Sequence, residues 1–128
     1  LAIAFPTTIH AQTEHQLVVQ MVDNNPKVQK GLIKQLNNLK EGYGNSITIE
    51  VVCHGPGLDL LHKERSEYRA ELLALKERGI IFLACENTLK GRDIPRDAIM
   101  EEFEFVPMGI GEVMEKQELG WSYVKGGL

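Results

Sequence analysis

A chain of 128 residues, 43 % hydrophobic and 25 % charged, fits one domain with its own core and leaves no room for two. Its net charge of −4 supplies no basic patch for nucleic acid. No apolar run approaches the roughly 20 residues of a membrane-spanning helix, and two cysteines outside any CxxC are too few for a disulfide scaffold.

Residues 1–12 open with an apolar stretch from Leu1 to Phe5 and turn polar around Ala11. This is the pattern of a signal-peptide remnant with a cleavage site near Ala11, which implies a periplasmic or secreted protein. The alternative is an N-terminal arm on a cytoplasmic protein. Residues 13–128 form the single domain on either reading.

From His15 to Val22 the chain is short, apolar and β-branched, as a buried strand is. Asp23, Asn24 and Asn25 offer capping side chains, and Pro26 suits a first helical turn. Val28, Leu32, Leu36 and Leu39 then make one helical stripe, which Gly42 to Asn45 stops. Ser46 to Cys53 predicts a second strand that runs into the turn His54-Gly55-Pro56-Gly57. Leu58, Leu60 and Leu61 lead to a polar break from His62 to Arg65. Tyr68, Leu72 and Leu75 mark the next helix, and Gly79 ends it. Ile80 to Cys85, the most continuously apolar segment, reads as the third strand and the centre of the sheet. Asp93 is placed to cap a short helix with Pro95 in its first turn. Glu102 to Val106 alternates as a strand, Gly109 to Leu119 is a helix closed by Gly120, and Trp121 to Val124 is a last strand. Strands alternating with helices predict an α/β domain: a parallel sheet covered on both faces.

In such a sheet ligands bind beyond the carboxyl ends of the strands. Three segments arrive there with reactive or ligand-binding groups: Cys53 to Gly57, Cys85 to Thr88, and Pro107 to Gly111. Cys85 ends a buried strand, and a thiol becomes nucleophilic once ionised. N–H groups of a following helical turn, or His54 from the neighbouring strand, would favour the thiolate, with Asn87 and Thr88 as orienting or hydrogen-bonding groups. The plain alternative is a packed core cysteine. Cys53 continues the face of Ile47, Ile49 and Val51 and reads as core; a Cys53–Cys85 disulfide requires close strand ends. Gly55 and Gly57 allow close backbone approach to an anion or sulfur ligand, or else merely a tight connection. Gly109-Ile110-Gly111 lacks the rest of a phosphate-loop fingerprint and reads as a tight helix start. Cys53, His54, His62 and Cys85 are zinc-type ligands, but their spacing matches no standard metal site.

Val51 to Leu58, Leu75 to Thr88 and Gly109 to Val124 together resemble the DsrE/DsrF-like (YchN-like) family over roughly residues 15 to 125. The most specific part is a helix-ending Gly79 followed six residues later by Cys85, with Asn87 and Thr88 beyond and the His54-Gly55 turn before. The resemblance implies a three-layer α/β/α fold with a five-stranded, mainly parallel sheet and assembly as trimers or hexamers. It further implies that Cys85 accepts persulfide sulfur from a donor, whether protein or small thiol, and hands it to an acceptor, with no metal or organic cofactor. That role carries over to Cys85 alone; in the accompanying hypothesis His54 assists ionisation or proton transfer, the Gly55-Pro56-Gly57 turn and Asn87 shape the pocket, and Thr88 is a further orienting or hydrogen-bonding group. The segment after Cys85 is closer to members of obscure function than to the sulfur-relay subunits. A non-catalytic binding or assembly module on the same fold is therefore the competing expectation.

Overall fold

The structure, a computed structural model, describes residues 14–127; the opening segment read as a leader or arm lies outside them. Five strands form one sheet: β1 (His15–Met21), β2 (Ile47–Cys53), β3 (Ile81–Cys85), β4 (Glu104–Val106) and β5 (Ser122–Lys125). Their order is β4-β3-β2-β1-β5 and every pair is parallel. The helices between them are α1 (Pro26–Tyr43), α2 (Arg69–Glu77), α3 (Glu86–Gly91) and α4 (Gly109–Glu118). The architecture is a three-layer α/β/α fold, as the alternation of elements predicts.

Alternation along the strands sorts the side chains into two cores. Leu17, Val19, Met21, Ile49, Val51, Cys53, Phe82 and Ala84 bury one face of the sheet against Leu32 and Leu36 of α1 and Leu72 and Leu75 of α2. The opposite face carries Val18, Val52 and Leu83, which pack on Val113 of α4. No helix among the described residues is long and apolar enough to cross a membrane.

The local signals explain the element ends. Asn25 caps α1 by accepting the Lys27 N–H at 2.9 Å, with Pro26 in the first turn. Gly79 follows α2 at φ +94, and Gly120 follows α4 at φ +93, both in the left-handed region.

Two expectations are corrected. The sheet's centre is β2, with β3 second from the edge. The continuous apolarity of Ile80 to Cys85 reports burial on both faces, which β3 shares with β2, and carries no information on strand order. Asp93 caps no helix start. It lies at φ +55 just past α3, donating its N–H to the Lys90 carbonyl, while Ile94 N–H returns to Leu89. The segment Arg96–Ala98 makes a single 3-10 turn, and the α-helix stands earlier, at Glu86–Gly91.

Candidate functional site

Cys85 is the last residue of β3 and the cap residue of α3, and its side chain lies on the α4 side of the sheet with Leu83. It is 4 % exposed. The sulfur is nonetheless not in an apolar hole. The N–H of Gly109, first residue of α4, donates to Sγ at 3.1 Å. Burial pushes the thiol up, but the Thr88 hydroxyl and the N–H groups of Gly109, Thr88 and Asn87 together outweigh it. The net shift is downward, toward thiolate.

Cys53 makes the contrast. It pairs in register with Ala84, one residue short of Cys85, so the two sulfurs project from opposite faces of the sheet. Both cysteines are free. Cys53 is fully buried in the core, and burial alone pushes its thiol far up. The reading of Cys53 as core is the one that fits; the disulfide would need one strand to shift its register.

His54 follows β2 and stands beside the start of α4. A Cβ built on Gly109 would meet His54 Cβ at 3.0 Å and Cγ at 3.2 Å, so the absence of a side chain at position 109 lets helix and imidazole pack together. The imidazole is hydrogen-bonded to Gln20, Nε2 to Nε2 at 2.8 Å, and Gln20 Oε1 in turn accepts from the Tyr123 hydroxyl. Burial lowers the His54 pKa, so the ring is neutral at neutral pH. Sequence reasoning puts His54 next to Cys85, and Gly109 touches both. The donors on sulfur are backbone and hydroxyl groups.

The turn after His54 is tied into the same site. Gly55 lies at φ +55, donates its N–H to Thr88 Oγ1 at 2.9 Å, and accepts from Arg92 Nη1 at 3.1 Å. Thr88 therefore links the turn to the sulfur through one hydroxyl. Gly57 is needed for close approach: a Cβ there would stand 2.1 Å from the Met21 carbonyl oxygen at the end of β1. The Asn87 side chain is exposed; its backbone N–H donates to the Pro107 carbonyl at 3.2 Å and lies close enough to the thiol to help lower its pKa.

His62 belongs elsewhere. Its Nδ1 accepts the N–H groups of Glu64 and Arg65 at 3.1 and 3.3 Å, which makes it the cap of a polar turn. Among the described residues no three His, Cys, Asp or Glu side chains gather as a metal site requires. The zinc-type quartet is thus split among the core, the strand ends and this turn.

A model of the DsrE/DsrF-like family matches residues 31–125. The chain belongs to the DsrE/DsrF-like family. Among solved structures, a protein of unknown function from Methanobacterium thermoautotrophicum is 28 % identical, with a TM-score of 0.83 over 88 % of this chain and 99 % of its own. A conserved protein of unknown function from Bacteroides thetaiotaomicron is 20 % identical, with a TM-score of 0.67 over 92 % of this chain and 98 % of its own, a likeness of fold alone. No curated protein matches. Membership of the DsrE-like family points toward sulfur-relay-related function, and the finer assignment rests on the site itself.

Gln20 and Tyr123 are the site groups that sequence reasoning missed, while Gly109, in the Pro107 to Gly111 segment it brought to the strand ends, was read only as a tight helix start. A signal existed for Gln20: it is a polar residue near the carboxyl end of a strand otherwise buried, on the face of Val18. Tyr123 comes from an element distant in sequence and carried none.

Proposed function

We propose that this DsrE-like protein accepts and passes on persulfide sulfur at Cys85. The observation that carries the reading is the set of donors around Sγ, which favours thiolate despite 4 % exposure. A cysteine that merely packs gains nothing from an N–H of a following helix held 3.1 Å from its sulfur and a hydroxyl beside it.

The step needs no cofactor. The Cys85 thiolate attacks the outer sulfur of a donor persulfide, the donor's S–S bond breaks, and the donor thiolate leaves and takes a proton from water. Cys85 then carries the persulfide until an acceptor thiolate repeats the exchange. Thr88, Asn87 and the Gly55 to Gly57 turn hold the sulfur's surroundings, and His54 flanks them. Because the sulfur is nearly covered, a donor must reach it by displacing neighbouring groups at the start of α4. Met108, just before that helix, and Ile110 and Met114 on it stand 49, 63 and 56 % exposed. This apolar strip beside the sulfur is where a second copy of the chain or a relay partner would dock, consistent with a trimer or hexamer.

Incubation with a persulfide donor followed by intact-mass measurement tests the reading. The expected result is a gain of one sulfur atom in the native chain and none in Cys85→Ser. A native Cys85 that alkylates readily yet never gains sulfur defeats it and leaves the binding or assembly module.

A further inference from the structure

Three hydrogen-bonded side chains, Gln20, His54 and Tyr123, meet the start of α4 through His54, which packs on Gly109, whose N–H donates to the candidate sulfur. They come from β1, the end of β2 and β5, so the edge strand at one side of the sheet reaches toward chemistry on the other. Register explains the meeting. Tyr123 pairs with Val18 and Gln20 pairs with Val52, placing Tyr123, Gln20 and His54 on the face that α4 covers. The hydroxyl of Tyr123 donates to Gln20 Oε1, which fixes the amide, and the amide's nitrogen lies 2.8 Å from His54 Nε2.

A donating amide nitrogen requires Nε2 to be the ring's acceptor. The ring's single proton in the neutral state is then on Nδ1. We propose that Gln20 and Tyr123 are positioning residues that hold His54 in its Nδ1–H tautomer against Gly109, the residue whose N–H meets the Cys85 sulfur. This rests on the reading of Cys85 as a sulfur acceptor and adds a specific part to it. With Nε2 occupied, His54 does not take the thiol's proton through that nitrogen. It offers a hydrogen bond to the sulfur group arriving at, or leaving from, Cys85, while the proton that balances the departing donor thiolate still comes from water. The packing of His54 on Gly109, whose own N–H is on Sγ, keeps the ring within the reach of such a group.

The test is nitrogen NMR of the full chain labelled at histidine, near neutral pH, with sulfur uptake measured in parallel. His54 is expected to show an unprotonated, hydrogen-bonded Nε2 and a protonated Nδ1. Gln20→Leu should shift the ring toward the other tautomer and slow sulfur uptake about fivefold, the effect of one neutral hydrogen bond. Gln20→Glu, whose carboxylate accepts from Nε2–H, should reverse the tautomer outright. Tyr123→Phe should loosen the amide and give a mixture. A protonated Nε2 in the native chain, or a tautomer that Gln20→Leu leaves unchanged, overturns the positioning chain. If the tautomer is as expected but the native chain takes no sulfur, the function proposed above fails, and the chain's catalytic role fails with it.

Discussion

Glu50 lies in the middle of β2 on the face under α4, 5 % exposed, in a strand whose other residues are mostly apolar. One carboxylate oxygen stands 3.6 Å from Lys116 Nζ, and the other is buried with no hydrogen-bond partner among the described residues. Lys116 is shared with Glu112 at 3.8 Å and lies over the Trp121 ring at 4.9 Å. Burial first, and the like charge of Glu112 second, raise the Glu50 pKa from the ordinary 4.5 to about 7, against the pull of Lys116. The folded pKa exceeds the unfolded one, so the unfolded chain releases this proton first. The contribution of Glu50 is then fully present below pH 4.5, declines across the interval, and is lost as pH rises through about 7. At about 1.4 kcal/mol per pH unit, ionisation withdraws at most about 3 kcal/mol across that interval. Glu50→Gln keeps the shape and removes the titration. Urea unfolding of both proteins at a series of pH values isolates the effect of the Glu50–Glu112–Lys116 cluster, because titrating groups outside it cancel in the difference. The variant should gain on the native chain by up to about 3 kcal/mol between acid and mildly alkaline pH. A difference that stays constant with pH, or that turns against the variant as pH rises, refutes the reasoning.

Cys85 should alkylate in the folded protein, and Cys53 only under denaturing conditions; peptide mapping after brief treatment checks the order, and equal labelling would contradict it. Thr88→Val removes the hydroxyl donor on Sγ and the acceptor for Gly55. It should slow Cys85 alkylation at neutral pH about tenfold or more, the effect of one charge-assisted hydrogen bond, with Thr88→Ser, which keeps the hydroxyl, restoring the rate as control. Gly57→Ala places a carbon against the Met21 carbonyl, where backbone rather than a flexible side chain must yield. Urea unfolding should show a loss of about 2–3 kcal/mol; unaltered stability would mean the turn is looser than its geometry.

Much of the fold was legible because hydrophobic period and punctuation are local. The stripe on α1, the capping Asn25 and Pro26, and the glycines after α2 and α4 each act within a few residues of themselves. The likeness to the DsrE/DsrF-like family, visible around His54, Gly79 and Cys85, is likewise a matter of spacing along the chain. Where inference went astray, the deciding interaction was not local. β3 is continuously apolar because helices cover both its faces, and no property of its own residues says that β2 is central. Asp93 looks like a cap in sequence, yet the hydrogen bonds returning from the end of α3 claim it.

The site divides along the same line. Sequence alone singled out Cys85, the His54 turn, Asn87 and Thr88, since a cysteine ending an apolar strand before a polar turn is a one-dimensional pattern. It also set Cys53 on the core face, because strand side chains alternate with period two. The local groups at Thr88 and Asn87 were in reach of sequence reasoning, but the Gly109 N–H on the Cys85 sulfur came only when α4 was folded back across 24 positions of sequence. What orients His54 was decided when β1 and β5 delivered Gln20 and Tyr123, the latter 103 positions from its partner. Charge stabilisation depends on distances of about 3 Å, and those are fixed by the packing of whole layers.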